Sequence, residues 1–254
     1  MKTIDIQSFD DLVQTLLQDR YCCGHVIFRG VKDQVNHKLI PTIGRMRKNQ
    51  IYPLLEQLLD DELQMLKLFR HRSYGELKKI PQNDWMWLAL AQHHGLPTRL
   101  LDWTYSPLVA AFFATEPEID FQGNIKDTNR NGGAIYVLHD CDYLDAYTTT
   151  SNPFTVERAR IIYAPTVTNR IAGQGGVFTI HPDPRIELQY EFEEEGSEST
   201  RWIHKLSFSS DVAFKIQRAL YFLGIRKGSI YPDLDGFSSD IKIRFGVGDC
   251  HTSD

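Results

Sequence analysis

Leu96-Pro97-Thr98-Arg99-Leu100-Leu101-Asp102-Trp103-Thr104-Tyr105-Ser106-Pro107-Leu108-Val109-Ala110-Ala111-Phe112-Phe113-Ala114 carries the strongest structural punctuation in the chain. Pro97 has no backbone donor for a helix and biases its predecessor toward the extended region, so residues 96–103 read as strand-like. Ser106 before Pro107 matches an N-cap followed by a first helical position. The small and aromatic residues that run to Ala114 suit a closely packed, buried helix. Strand, polar turn and buried helix therefore follow one another directly.

Upstream, Asn83 can cap a helix to about His94, with Trp85, Trp87, Leu88 and Leu90 as its bulk and Gly95 as its stop. Residues 52–72 repeat Leu55, Leu58, Leu59, Leu63, Leu66 and Phe69 at helical spacing, which predicts a long amphipathic helix. His25 to Gly30 reads as a short strand ending in a glycine turn, and residues 7–19 as an opening helix with Ser8 and Asp11 as its start signal. Downstream, strands are expected at 134–138, 177–180 and 203–206, a last helix at 210–223, and a strand-to-turn segment at 230–236. Glu187 to Glu198 holds six glutamates and no basic residue, so it reads as an exposed, mobile, solvating excursion. No repeat or Pro/Ser linker divides the chain. The expectation is one α+β domain over 1–254, with a mixed or antiparallel β core and a helical portion inserted after the first strand.

The 254 residues, 42% apolar and 24% charged, exclude a stapled miniprotein and a disordered chain. No apolar run reaches membrane-spanning length and the amino terminus is not an apolar signal, which points to a cytoplasmic protein. Cys22, Cys23, Cys141 and Cys250 lack metal-ligand spacing and read as free thiols, with no metal site. The net charge of −5 divides into +5 over residues 21–100 and −10 over the remainder. A polyanion can thus meet a basic face on an acidic protein, although solvated basic helix faces give the same pattern.

Three polar clusters lie at strand ends, where side chains converge over a sheet. Arg29 can offer a planar, permanently charged fork to a diphosphate, with Gly30 allowing close backbone approach; an ion-paired surface arginine is the alternative. Thr98, Arg99, Asp102, Thr104 and Ser106, interleaved with Trp103 and Tyr105, suit a nucleotide or sugar ring, or else a capped helix entry with a buried tryptophan. Gln174 marks the third cluster. His93 and His94 sit at a helix carboxyl end, where an imidazolium is favoured without any catalytic task. Asp233 and Asp235 flank a turn, the commoner explanation of PDLDG. No phosphate loop, dinucleotide fingerprint or nucleophile elbow is present.

Phe28-Arg29-Gly30 together with Trp87-Leu88-Ala89-Leu90-Ala91-Gln92-His93-His94-Gly95-Leu96-Pro97-Thr98-Arg99-Leu100-Leu101-Asp102-Trp103-Thr104 resembles the FRG-domain family over residues 25–125. Arg170-Ile171, Gln174 to Phe178 and Ile230 to Gly236 extend the likeness into the tail. The order of these motifs resembles, more distantly, the ADP-ribosyltransferases. That resemblance implies NAD as substrate, with Arg29 and Gly30 on its diphosphate, Thr98 and Arg99 on a ribose or phosphate, and Trp103 or Tyr105 stacked on a ring. Thr104 and Ser106 belong to the same turn. Gln174 falls where that superfamily places a glutamate; it brings no negative charge to an oxocarbenium-like transition state, so Asp102 or Asp233 becomes the candidate carboxylate.

The resemblance implies a toxin or antiviral effector that modifies a macromolecule, with RNA or DNA as the expected acceptor and an antitoxin or chaperone as restraining partner. The rival is a non-catalytic module that binds a nucleotide or a partner. A nuclease ranks third, because the acidic residues show no metal-site grouping.

Overall fold

The computed structural model describes residues 1–22, 24–46, 54–116, 118–119, 125–126, 131–163, 176–188 and 201–246. Its frame is one mixed eight-stranded sheet that draws strands from both ends of the chain. These are β1 (Lys2–Asp5), β2 (Val26–Val31), β3 (Leu100–Thr104), β6 (Gly133–His139), β7 (Tyr143–Asp145), β8 (Arg160–Tyr163), β9 (Gly176–Ile180) and β10 (Trp202–Phe208), with β4 (Glu118–Ile119) and β5 (Ile125–Lys126) forming a separate hairpin. The spatial order is β1-β10-β6-β2-β3-β9-β8-β7. Only the two outer pairs, β1 with β10 and β7 with β8, run parallel.

Three strands, the edge strands β1 and β7 and their neighbour β8, escape sequence reading because they are three or four residues long, too short for an alternating pattern to declare itself. The mixed α/β architecture agrees with expectation. The helical portion, α2 (Thr42–Arg45), α3 (Leu55–Ser73) and α4 (Asp84–His93), lies between β2 and β3, but β1 makes β2 the second strand rather than the first.

Strand alternation sorts the core into two faces. On one, Val26 and Phe28 of β2 with Ile135 and Val137 of β6 meet α1 (Phe9–Leu16), α5 (Pro107–Thr115) and α6 (Ser210–Phe222). On the same face, Leu100, Phe178 and Ile180 meet α3 and α4 through Leu66, Trp85, Leu88 and Ala89. The opposite face, with Ile27, Leu101, Trp103 and Leu138, is covered by loop residues Leu39, Ala159 and Leu188.

The expected caps form. Ser8 Oγ accepts from Asp11 N–H at 3.0 Å, Asn83 Oδ1 from Met86 N–H at 3.0 Å, and Ser106 Oγ from Val109 N–H at 3.3 Å. Gly95 ends α4 at φ +80°, a conformation that other residues resist.

Two expectations change. Residues 230–236 are not a strand: α7 (Lys227–Ile230) runs into a turn that starts α8 (Leu234–Gly246). Glu187 opens the acidic stretch but is buried at 8% exposure, with Leu188 N–H donating to Leu39 O at 3.1 Å, so this end of the stretch belongs to the core. Residues 189–198 lie outside the described residues.

Gly30 is where α5 touches the sheet. A Cβ there would fall on the Ala110 carbonyl oxygen and 2.6 Å from Ala114 N. We expect Gly30→Ala to push α5 off β2 and cost about 1–3 kcal/mol, the usual scale of overpacking, read as a lower urea midpoint.

Candidate functional site

The centre of the sheet is barely joined. β2 and β3 share a single registered pair, Phe28↔Thr104, whereas β2 pairs with β6 along its whole length and β3 with β9 likewise. Beyond Phe28 the two strands part, and the groups α5/α6 and α3/α4 part with them. A cleft of about 550 Å3 fills the opening. Residues of β2 that alternate to both faces, Arg29 and Val31 as well as Phe28 and Gly30, line it together with Lys32 just after the strand, as a gap between strands requires.

Arg29 bridges the gap, its Nη1 donating to the Asp102 carbonyl at 2.5 Å. That is its one described hydrogen bond; Nε is buried without a partner, and no described carboxylate lies within ion-pair distance. Burial holds the guanidinium below its ordinary pKa; the nearby Asp102 charge opposes this and Arg45 reinforces it. The alternative of an ion-paired surface arginine therefore does not describe this residue. Lys32, Lys38 and Arg45 join it around the cleft, with His37 and His93. Against four permanent cations the lining supplies two carboxylates, Asp102 and Glu116. Glu116 is already shared between Lys32 Nζ at 3.5 Å and Lys227 Nζ at 3.0 Å.

Asp102 is held from behind. Thr98 Oγ1 donates to Gln92 Oε1 at 2.7 Å, and Gln92 Nε2 donates to Asp102 Oδ2 at 2.8 Å. The bond from Thr98 selects the amide orientation in which Gln92 offers its NH2 group to the carboxylate. Sequence reading missed Gln92, although a polar residue in the last turn of an otherwise apolar helix was the available signal. It also missed Lys32, His37, Lys38 and Arg45, of which the local charge of +5 was the only trace.

Other candidates land elsewhere. Arg99 is not a ligand group: at 1% exposure it is locked to the buried Glu62 of α3, its Nε and Nη2 each 2.8 Å from Oε2 and its backbone N–H donating to Oε1 at 2.9 Å. Burial pushes Glu62 up and Arg99 opposes that shift. Trp103 puts its ring in the core and donates Nε1–H to Thr179 Oγ1 at 3.0 Å, and it also contributes to the cleft lining. Tyr105 stacks on Tyr163 with centroids 5.9 Å apart and faces a separate apolar groove. Thr104 lines the cleft with its Oγ1 accepting from Ser106 N–H at 3.1 Å, while Ser106 caps α5. Asp233 accepts from Gly236 N–H at 2.8 Å at the start of α8 and is not in the lining, unlike its neighbour Tyr231. Gln174 lies outside the described residues. Among the described residues no His, Cys, Asp and Glu group is placed to hold a metal ion, and no helix is long and apolar enough to cross a membrane.

The FRG-domain family model matches residues 24–123, the span that contains Arg29, Gln92, Thr98 and Asp102. Residues 24–123 are thus similar to the FRG domain. No curated protein and no solved structure matches the chain. The FRG span thus supplies β2, the inserted helices, β3 and α5, which together form most of the cleft wall; Tyr231 comes from outside it.

Below the cleft, His181 is fully buried beside Arg29 and Arg99, its Nε2 3.1 Å from Thr179 Oγ1 and its Nδ1 without a partner. Burial first, then the two guanidinium charges, pushes its pKa down to about 3. Unfolded His181 binds a proton below about pH 6.5 and folded His181 does not, so stability is lost as pH falls from about 6.5 toward 3. We expect a slope approaching about 1.4 kcal/mol per pH unit in that window, reduced in His181→Asn when urea midpoints are compared across pH. Glu62→Leu, which strands Arg99 without a counter-charge, should cost about 3–5 kcal/mol in the same assay.

Proposed function

We propose that the FRG cleft binds NAD and transfers its ADP-ribose to a macromolecule. The observation that carries this reading is Arg29: a permanent cation, partly buried and lacking a carboxylate partner among the described residues, with Lys32, Lys38 and Arg45 around the same opening. Holding like charges together in a partly buried cleft is unfavourable unless an anion joins them, and a diphosphate matches a guanidinium fork flanked by point charges. A cleft of about 550 Å3 is within the range of small-molecule sites.

Asp102 is the carboxylate available for chemistry, since its Oδ2 is positioned by Gln92. In the proposed step the bond between C1′ of the nicotinamide ribose and the nicotinamide nitrogen breaks, and nicotinamide leaves neutral with the electron pair. Asp102 steadies the positive charge that develops on the ribose. A nucleophile of the acceptor then bonds to C1′ and gives up its proton. The excess of cations beyond the two a diphosphate needs favours a polyanionic acceptor, RNA or DNA. The effector role, as toxin or in antiviral defence under the restraint of an antitoxin or chaperone, rests on the family resemblance alone.

Incubation of the protein with labelled NAD and cellular RNA, DNA or protein should release nicotinamide and label one acceptor class. Arg29→Ala should lower that rate by at least about a hundredfold, equivalent to about 2.7 kcal/mol, while leaving the melting temperature within about 2 °C. Asp102→Asn should lose turnover but keep the thermal shift that NAD produces by binding the folded state. A thermal shift with no nicotinamide released from the unaltered protein would support the non-catalytic module instead.

A further inference from the structure

Helix α8 leaves a row of apolar side chains in solvent. At about 100° per residue, Leu234, Phe237, Ile241 and Phe245 fall within an arc of about 80°. They are exposed to 85%, 49%, 58% and 79%. The face turned to the protein carries Gly236, Ser239, Asp240 and Ile243. Asp240 Oδ2 there accepts from Gly228 N–H at 3.1 Å, and a Cβ on Gly236 would come 3.2 Å from the Lys227 carbonyl oxygen. A surface helix ordinarily turns its apolar stripe to the core. Here Gly236, Ser239, Asp240 and one isoleucine face inward while Leu234, Ile241 and Phe245 are exposed and Phe237 is half exposed, and a contiguous patch of that kind marks an interaction surface.

The charges beside the stripe select the occupant. Asp235 in the first turn and Lys242 near the last lie on the same flank, and neither has a hydrogen bond or ion pair among the described residues. When two such helices pack antiparallel about a two-fold axis through the centre of the stripe, Leu234 of one faces Phe245 of the other and Phe237 faces Ile241. Matching flanks then meet, which sets Asp235 of each copy beside Lys242 of the second. The surface is self-complementary in both apolarity and charge.

We propose that α8 is the contact through which two copies of this chain associate as an antiparallel, two-fold dimer. Four apolar residues a side make less than a standard interface, so the dimer dissociates in the micromolar range. The proposal is independent of the chemistry assigned to the cleft.

Sedimentation velocity of the full chain between about 1 and 200 μM should show the mass rising from monomer to dimer. Phe237→Asp should weaken association at least about thirtyfold with an unchanged melting curve, because the residue is already half in water. Asp235→Lys and Lys242→Asp should each weaken it by about fivefold. An equimolar mixture of these two variants should associate as well as the unaltered protein, since each copy then supplies what the other lacks. The proposal is overturned by a monomer across the whole range, by a dimer that Phe237→Asp leaves intact, or by a mixture no better than its components. A monomer that instead floats with phosphatidylcholine vesicles through the same stripe would also overturn it.

Discussion

One registered pair, Phe28↔Thr104, is all that joins the two halves of the sheet at its centre. Everything that makes a site follows from that economy. Backbone groups that leave a ladder need other partners, and the Asp102 carbonyl takes the Arg29 guanidinium in place of a strand neighbour. The arginine is thereby held in the gap, where it lines the cleft. Because helices cover the same face in two groups, α1, α5 and α6 over one half and α3 with α4 over the other, no helix among the described residues crosses the opening to close it.

The two arginines of the FRG span meet opposite fates for the same electrostatic reason. A guanidinium removed from water needs a counter-charge or a ligand. Arg99 has Glu62, bound through three of its nitrogens, and serves as a strut between α3 and the start of β3. Arg29 has only a carbonyl. The strut matters to the site all the same, since Arg99 follows Thr98, whose hydroxyl orients Gln92 and so Asp102. The run from Gln92 to Asp102 is best understood as a device that fixes one carboxylate at the cleft: a helix end, a glycine turn and a strand whose polar members bond to one another.

Much of the local structure was legible because its signals are short-range. Ser8, Asn83 and Ser106 as caps, Gly95 as a stop and Pro107 at the first position of α5 depend on neighbours within four residues. Arg29 and Asp102 were singled out as polar residues near strand ends; the structure places both inside strands, β2 and β3, and in the lining of the cleft. Arg99 and Trp103 were not separable from them, because a polar or aromatic residue in a strand faces core or cleft according to which strands flank it, and pairing of β3 with β9 is a long-range fact. Lys32, Lys38 and Arg45 sit in unremarkable stretches of sequence and acquire meaning only when the chain folds back on β2. The helix at 234–246 was missed because its residues do not alternate inside and outside in the usual sense; its apolar side faces solvent.

By itself, then, the sequence determined the longer strands, most of the longer helices with their caps, the mixed α/β class and the stretch that lines much of the cleft, since each is encoded in spacing and capping over a turn or two. Tertiary structure alone decided which charges are spent and which are free. The distinction between Arg99 and Arg29 rests on whether Glu62, 37 residues away, reaches one or the other. No local pattern records that distance, because burial and pairing of a charge depend on which elements the sheet brings side by side.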